Sequence, residues 1–496
     1  MRLLEVVYAD PRAGFGVESI ARDLGRCLVR KGVEVSFAFY APQTDPRAAG
    51  WQGSGSKAES DGSVAFPELV PLGPRRPLPR FLGKLLYNFL LFGYAMDNSS
   101  SYDVFHINGD NGAFITLVRG AKTVMTWHGS AALRASRVPL GPARRVAAQI
   151  SSYLESFASR RASAVTVVSP SLLDYVGRAG GRKDVRVIEN FVDSALFSPG
   201  DKERERERLG LDGGSLVALW VGGDPVNKRL DFTLGLARKH PEVQFVVAGS
   251  SPSRAPPNVK AVGRMPREDL VRYYRAADVL VFPSLYEGFG LAALEAMACG
   301  CVPIMGESVA RGISGLVDGV NCFVAKEDVD YDAVLGRLER DREVLKGMAR
   351  KAEEVARAHS LEAACSAYLD LFEEVAGSGR RRGSLRKRRV GQEFAAPFPF
   401  LDWARVAPGE RPLGRRKGDR EGVSRGFCIV RSGLVRSGWV DRFCGVGQRK
   451  PHRGQTRHEE LAPDGLEEGA SKGVGHEPPQ RFLWYHRGMF PMGNVI

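Results

Sequence analysis

The sequence lacks the residue spacings of a metal centre and of a disulfide-rich domain. Its seven cysteines include no Cys-x-x-Cys pair and have no histidine at metal-ligand spacing. An odd, scattered set of thiols is typical of a reducing compartment. Cys299 and Cys301 stand two apart in an apolar run, and we expect them to be core residues. These absences argue against a zinc site and a secreted scaffold.

Long apolar runs are also missing. No secretory hydrophobic segment follows Met1, and the longest apolar stretch, 85–96, is shorter than the roughly 20 residues that span a bilayer. We therefore expect a cytoplasmic protein. The helix predicted near 74–96 has basic residues ahead of its apolar part. We favour a buried helix there; the alternative is peripheral contact with the inner face of a membrane.

Most of the chain has a net charge close to zero. The 496 residues carry 71 Lys+Arg and 57 Asp+Glu, a formal charge of +14. Residues 380–496 hold 24 of these bases and only 12 of the acids, so nearly all of the excess lies there. A nucleic-acid partner is therefore unexpected for the main body. We expect 376–496 to be a basic, disordered tail, and attraction to anionic lipid or RNA is the alternative.

The main body does contain alternating strand and helix patterns. The predicted strands are 3–8, 33–39, 104–107, 123–127, 164–168, 185–188, 216–221, 243–248, 279–282 and 302–305. The predicted helices are 17–31, 79–96, 142–161, 229–239, 267–277, 291–299, 331–356 and 361–375. This alternation predicts parallel sheets with crossover helices, an α/β fold. The charged stretch 198–212 breaks the pattern and is expected to be a solvated junction between domains 1–197 and 198–375.

The most informative segment is 277–300, ADVLVFPSLYEGFGLAALEAMACG. It predicts a buried strand, a glycine-flanked loop and a helix of small apolar residues. In a parallel sheet such a loop lies at the carboxyl ends of the strands, where ligands bind. Glu295 is a carboxylate among apolar neighbours, so it needs a polar partner if it is buried. The alternative is that Glu295 faces water and that Glu287 merely complements the helix dipole.

This segment resembles the E-x7-E signature of the retaining, nucleotide-sugar-dependent glycosyltransferases of family 4, which have the GT-B fold of two Rossmann-like domains facing a cleft. The resemblance implies that Glu287 contacts the hydroxyls of the donor sugar and that Glu295 holds the ribose hydroxyls. It also implies that donor-binding backbone lies around the glycine loop, at Gly288, Phe289, Gly290 and Leu291.

Two further motifs are similar to loops of the same family. Gly16, before the first helix, matches the family's glycine loop, which faces the donor phosphates and the acceptor. His128, after a predicted strand, matches a histidine that approaches the donor sugar, which implies a catalytic role. A histidine in such a place can also be a structural hydrogen-bonder, and the matching context favours the functional interpretation.

The opening of the second domain departs from the family pattern, which is normally Gly-Arg…Lys. Gly222 and Lys228 match that pattern, but Gly223 occupies the place of the arginine. Two cations normally neutralise the leaving diphosphate, so this chain needs a substitute. Arg229 is the candidate that the sequence offers, beside the catalytic Lys228.

The resemblance covers about three quarters of the chain and implies transfer of a sugar from a nucleotide-sugar donor to an acceptor hydroxyl, with retention. It implies no metal or other cofactor, an acceptor that is a glycan, a lipid-linked sugar or a small molecule, and a role in glycan, glycolipid or polysaccharide synthesis. A catalytically weak homologue that binds nucleotide sugar as a scaffold is the alternative. An NAD-dependent oxidoreductase is disfavoured, because Ser19 occupies the third glycine place of the dinucleotide fingerprint.

Overall fold

The computed structural model describes residues 1–12, 16–42, 67–74 and 76–377. The expected tail lies almost wholly outside these described residues. Within them the chain forms two parallel sheets, each covered by helices on both faces. Central strands of both sheets are buried along their whole length, which is what long runs of β-branched and aromatic residues predict.

The first sheet has seven strands in the order β3-β2-β1-β4-β5-β6-β7. Its strands are β1 (Arg2–Val6), β2 (Glu34–Tyr40), β3 (Glu68–Leu72), β4 (Val104–Asn108), β5 (Thr123–Trp127), β6 (Ala164–Val167) and β7 (Arg186–Val187). Its helices are α1 (Val17–Arg30), α2 (Arg80–Asn98), α3 (Ala131–Arg137), α4 (Pro142–Arg161) and α5 (Pro170–Gly180), with a 3₁₀ turn over Ala113–Leu117. This strand order reverses direction between β1 and β4, where α/β sheets bind ligands.

The second sheet has six strands in the order β10-β9-β8-β11-β12-β13. Its strands are β8 (Val217–Val221), β9 (Gln244–Ala248), β10 (Val259–Gly263), β11 (Val279–Phe282), β12 (Val302–Gly306) and β13 (Phe323–Ala325). The helices are α6 (Lys202–Leu209), α7 (Leu230–Lys239), α8 (Arg267–Ala276), α9 (Leu291–Ala298), α10 (Glu307–Ala310), α11 (Asp328–Arg340), α12 (Glu343–Ala358) and α13 (Leu361–Gly377). All described strand pairs in both sheets are parallel.

The last helix, α13, returns to the first domain. Its buried face, which includes Cys365, Tyr368 and Phe372, belongs to the same apolar cluster as the residues of α1 and β2. The chain crosses over near a bridge between Val192 and Ser360. The core of the first domain is therefore completed by the end of the main body.

The structure corrects several sequence predictions. The edge strands β3, β10 and β13 were not predicted, because they are short or only half buried and so lack a continuous apolar run. The single helix predicted over 331–356 is two helices. Asp341 has extended backbone and its Oδ1 accepts from the Glu343 backbone N–H at 3.0 Å, which starts the second helix.

The prediction of a solvated stretch over 198–212 holds for most of its residues, which are exposed, but not for all of them. Residues Lys202–Leu209 form α6, in which Glu205 and Arg206 are buried. Arg206 donates to Asp278 at 2.5 Å and to the Ala276 carbonyl at 2.9 Å. The alternating charges hold α6 against the second sheet through buried ion pairs, which a composition argument does not distinguish from solvation.

The cysteine prediction is confirmed for the described residues, since Cys299 and Cys301 are both buried and free. Helix α2 buries one side, with Tyr87, Leu91 and Ala95 in the core. Its other side is exposed. No described helix has both the length and the apolar character needed to cross a bilayer.

Candidate active site

Two loops, one from each sheet, meet at the carboxyl ends of β5 and β11. The backbone N–H of Ser130 donates to the Tyr286 hydroxyl at 2.5 Å. A Cβ atom added to Gly288 would lie 1.8 Å from the His128 carbonyl oxygen, so only glycine fits there. The structure therefore brings the predicted histidine loop and the predicted E-x7-E loop into direct contact.

Glu287 forms an ion pair with Lys228 at this junction. The Lys228 Nζ atom lies 2.7 Å from Glu287 Oε1 and 4.2 Å from the centroid of the Phe282 ring. Both charged side chains are mostly buried, at 17% and 16% exposure. The Phe282 ring and the partial burial hold the carboxylate and the ammonium group within one hydrogen-bond length of each other. Both groups can therefore bind the polar groups of a ligand.

The backbone around Lys228 is tightly packed. The Lys228 carbonyl accepts from Trp220 Nε1 at 2.9 Å. A Cβ atom added to Gly222 would approach Lys228 Cγ to 2.8 Å, and Gly222 in turn lies against Gly249, whose φ is +91°. A side chain at either position would collide with these neighbours, so the two glycines let the backbone pack closely against Lys228 in the turn before α7.

The candidate second cation, Arg229, is already paired. Its guanidinium makes a two-pronged ion pair with Asp328, both contacts at 2.6 Å, and lies over the Phe232 ring. The arginine that lies beside Gly223 is instead Arg264, whose Nη2 is 3.5 Å from the place that a Cβ on Gly223 would take. Arg264 is exposed and makes no ion pair with the described residues.

Glu295 is mostly buried, with 14% of its side chain exposed, and has the polar partners that its surroundings require. Its Oε2 accepts from the Tyr274 hydroxyl at 3.0 Å, and its Oε1 lies 3.4 Å from Arg267. Burial raises the pKa of Glu295 despite the nearby Arg267 charge. The alternative in which Glu295 faces water is therefore wrong. Arg267 also pairs with Asp23 of α1 at 2.7 Å, so the same guanidinium joins the two domains.

His128 is held by Asn108, which the sequence analysis did not single out. His128 Nε2 lies 2.7 Å from Asn108 Oδ1. Asn108 Nδ2 donates to Glu5 Oε1 at 2.7 Å and to the Val6 carbonyl at 3.1 Å. Both of those partners only accept, so the amide nitrogen must face them and Oδ1 must face His128. His128 Nε2 consequently carries the proton, and Nδ1 is an acceptor.

The Nδ1 atom of His128 is buried and has no partner among the described residues. Burial, and then the proximity of His106, lower the pKa of His128 to about 3. His128 is therefore neutral at ordinary pH. A neutral imidazole with one nitrogen unoccupied can accept a hydrogen bond from a ligand hydroxyl.

Glu5 is the buried anchor of this arrangement. Its second oxygen lies 2.8 Å from His106 Nδ1, and His106 Nε2 lies 2.7 Å from the Thr126 hydroxyl. The pairing of β1 with β4 places Glu5 beside His106. The signal available in the sequence was a set of polar residues inside otherwise apolar strands.

The other predicted site residues lie at the ends of the two helices that face this junction. Gly16, with φ +69°, precedes α1, and its carbonyl accepts from the Ser19 hydroxyl at 2.8 Å. Gly290, with φ +111°, precedes α9, which begins at Leu291. Phe289 is buried, with its ring 5.9 Å from that of His359. Phe289 therefore anchors the loop, while its neighbours offer backbone.

The carboxyl ends of β1, β2 and β4 carry aromatic and charged residues. The rings of Tyr8 and Tyr40 stack with centroids 5.3 Å apart, and Lys84 pairs with Asp110 at 2.5 Å. Nearby, burial raises the pKa of Glu155 to about 8, with Asp110 adding to the effect. Within the described ranges, no group of three or more His, Cys, Asp or Glu is arranged to hold a metal ion.

Two family models match the chain, one for each domain. Residues 15–196 match the family described as Glycosyltransferase Family 4, and residues 201–355 match that described as Glycosyl transferases group 1. The D-inositol 3-phosphate glycosyltransferase of Acidothermus cellulolyticus is 30% identical over 307 residues, 54% of this chain and 67% of that relative. The protein of that description from Mycobacterium sp. (strain KMS) is 38% identical over 159 residues, 27% of this chain and 36% of the relative.

Solved structures share the fold. Sucrose-phosphate synthase from Thermosynechococcus elongatus superposes with a TM-score of 0.64 at 22% identity, over 76% of this chain and 99% of that one. Anabaena HepE in complex with UDP-glucose superposes with a TM-score of 0.58 at 17% identity, over 75% of this chain and 100% of that one. These likenesses confirm the predicted architecture of two Rossmann-like domains, the GT-B fold.

Proposed function

The chain belongs to glycosyltransferase family 4, and on that premise we propose that it transfers a sugar from a nucleotide-sugar donor to an acceptor hydroxyl with retention of configuration. The observation that carries this proposal is the Glu287–Lys228 pair at 2.7 Å, on a glycine loop that touches the histidine loop of the opposite domain. This arrangement offers a carboxylate, a cation and an acceptor nitrogen where two domains close.

In this proposal the donor diphosphate lies between two cations. Lys228 supplies one, and Arg264 supplies the charge that Gly223 lacks. The backbone amides at the start of α9 add donors to the same oxygens. The solved complex of HepE with UDP-glucose supports a nucleotide-sugar donor for this fold. As negative charge builds up on the leaving diphosphate, the fixed cations stabilise it more than they stabilise the ground state.

The sugar lies on the other side of the Lys228–Glu287 pair. Glu287 accepts hydrogen bonds from the hydroxyls of the sugar, and His128 Nδ1 accepts one more. These hydrogen bonds orient the anomeric carbon. The bond from that carbon to the diphosphate breaks while a bond to the acceptor oxygen forms on the same face. The acceptor proton passes to the departing diphosphate oxygen. Glu295 holds the nucleoside by its ribose hydroxyls.

The acceptor in this proposal binds against the first domain. The stacked rings of Tyr8 and Tyr40 and the Lys84–Asp110 pair form a wall suited to a hydroxyl-rich molecule. Curated relatives are D-inositol 3-phosphate glycosyltransferases, which supports a polyol or sugar acceptor. We further propose a cytoplasmic reaction that requires no metal, because side-chain cations neutralise the diphosphate. Unchanged turnover in excess chelator would support this last point, and loss that Mg²⁺ restores would overturn it.

The test begins with thermal shifts in a panel of nucleotides and nucleotide sugars. The nucleotide sugar that stabilises the protein most is then incubated with polyol and sugar acceptors, and the product is examined by NMR. Retention predicts a product whose anomeric configuration matches that of the donor. Donor binding without turnover of any acceptor or of water would favour the scaffold function instead, and inversion would overturn the mechanism.

A further inference from the structure

Two helices of the first domain expose an apolar surface. On α2, Leu82, Phe89 and Met96 recur every seven residues and are 49%, 55% and 56% exposed. On α4, Val146 and Tyr153 have the same spacing and are 53% and 67% exposed. A seven-residue interval places side chains on one side of a helix, so each helix presents an apolar stripe to solvent.

A chain of aromatic rings joins the two stripes. Phe89 of α2 lies 5.0 Å from Phe114 of the 3₁₀ turn, and Phe114 lies 6.2 Å from Phe157 of α4. Phe157 lies 6.4 Å from Tyr153. The two stripes and the turn between them therefore form one continuous surface, which we call the aromatic face.

The charge around the aromatic face is mostly positive. Four arginines lie on α4, Arg144, Arg145, Arg160 and Arg161, and Arg119 follows the turn. The carboxylates of α2, the turn and α4 are only two, Asp97 at the end of α2 and Glu155, which is buried. Arg160 continues the seven-residue spacing of Val146 and Tyr153. Arg145 and Arg160 are exposed and make no ion pair with the described residues, while the Arg161 guanidinium lies 5.1 Å from the Phe157 ring.

We propose that the aromatic face docks the protein on the surface of an anionic lipid bilayer. Aromatic side chains favour the headgroup region, where arginines meet lipid phosphates. Neither α2 nor α4 can cross the bilayer, so both lie along its surface. The proposal stands apart from the sugar-transfer chemistry, and charge distinguishes it from self-association. A second copy packed on the same face would bring both arginine sets together, with Asp97 as the one exposed carboxylate of α2, the turn and α4 to compensate them.

The helices of the aromatic face also contribute residues to the proposed acceptor wall. Lys84 of α2 pairs with Asp110, and Glu155 of α4 accepts from the Ala131 backbone N–H at 3.3 Å; Asp110 and Ala131 follow the carboxyl ends of β4 and β5. The two helices that would rest on lipid therefore also line the proposed acceptor wall. A bilayer-anchored acceptor would reach the cleft without leaving the surface.

Co-sedimentation of the full chain with lipid vesicles tests the proposal. The full chain should bind vesicles of equal parts phosphatidylcholine and phosphatidylglycerol, and bind pure phosphatidylcholine far less. The pair Arg145→Gln and Arg160→Gln should lower the partition coefficient about 30-fold. The pair Phe89→Gln and Tyr153→Gln should lower it by a similar factor.

Matched controls come from the second domain. Arg350→Gln with Lys351→Gln removes two adjacent exposed bases there, and Val329→Gln changes an apolar residue that is 65% exposed. Both controls should bind as the wild type does. Equal binding by every variant would overturn the proposal and assign lipid attraction to residues 376–496. Absence of binding, or a dimer in light scattering that Phe89→Gln with Tyr153→Gln dissociates, would also overturn it. Thermal shifts by the best nucleotide should be unchanged in all variants, which keeps this test separate from the proposed function.

Discussion

The 2.7 Å contact between His128 Nε2 and Asn108 Oδ1 decides which nitrogen of the histidine carries its proton. Asn108 is itself oriented by Glu5, which lies on another strand. A buried carboxylate thereby determines the hydrogen-bonding character of a histidine that it does not touch. This relation makes Asn108 a positioning residue for the proposed donor site.

Substitution Asn108→Ala should therefore change the tautomer of His128. Without Oδ1 as acceptor, Nε2 no longer has to keep the proton, and long-range ¹H–¹⁵N spectra of the imidazole should show a mixture of tautomers. We expect kcat/KM to fall about 10- to 100-fold, because a His128 Nδ1 atom that carries the proton cannot accept the hydrogen bond from the sugar hydroxyl. A single, Nε2-protonated tautomer in the folded variant would contradict this account.

The second cation of the diphosphate site is testable with a matched pair of arginines. Arg264→Gln should raise the dissociation constant of the nucleotide sugar about 10- to 100-fold, as for loss of one charged hydrogen bond. Arg229→Gln is the control. Because the Arg229 guanidinium is paired with Asp328, this substitution should leave donor affinity nearly unchanged. Calorimetric titration of both variants distinguishes the two positions. The opposite ranking would return the role to Arg229.

Glu295→Ala should sharply weaken binding of the nucleotide sugar, because the ribose hydroxyls lose their acceptor. Tyr274→Phe serves as the control, since it removes the hydroxyl 3.0 Å from Glu295 but keeps the carboxylate. We expect a much smaller change in donor affinity for that variant. Unaltered affinity in a folded Glu295→Ala protein, as judged by its circular dichroism, would count against the ribose role.

Glu155 should make stability depend on pH. Its folded-state pKa is raised to about 8 from an ordinary value of 4.5, so its neutral form favours folding. That contribution is fully present below pH 4.5 and is lost as the pH rises through about 8. The free energy of unfolding should fall over this range by a few kcal/mol. Denaturant titrations of Glu155→Gln should show a smaller fall, and an identical pH dependence would refute the assignment.

The parts of this structure that could be predicted from sequence are those encoded locally. The strands that are buried on both faces, such as β5 and β11, have apolar runs whose bounds matched the prediction. The position of the Glu287 loop followed because loops after parallel strands lie at the carboxyl edge of their sheet. Its contact with the His128 loop was not predicted, because the two loops belong to different sheets. The requirement that Glu295 have polar partners also followed from its apolar neighbours.

The residues that were missed depend on contacts between distant parts of the chain. Arg264 lies beside Gly223 only because β10 pairs with β9 next to β8, and no local pattern marks it. Glu5 meets His106 through the register of β1 on β4. The buried charges of α6 were predicted to be solvated, because alternating sequence signs do not reveal a partner such as Asp278.

A crystal structure with the nucleotide sugar that stabilises the protein most would test the central claim directly. We expect the diphosphate within hydrogen-bonding distance of Lys228 and Arg264, the sugar hydroxyls on Glu287 and His128, and the ribose on Glu295. A donor bound outside the junction of the two loops, or one whose sugar lies far from Glu287, would contradict the account.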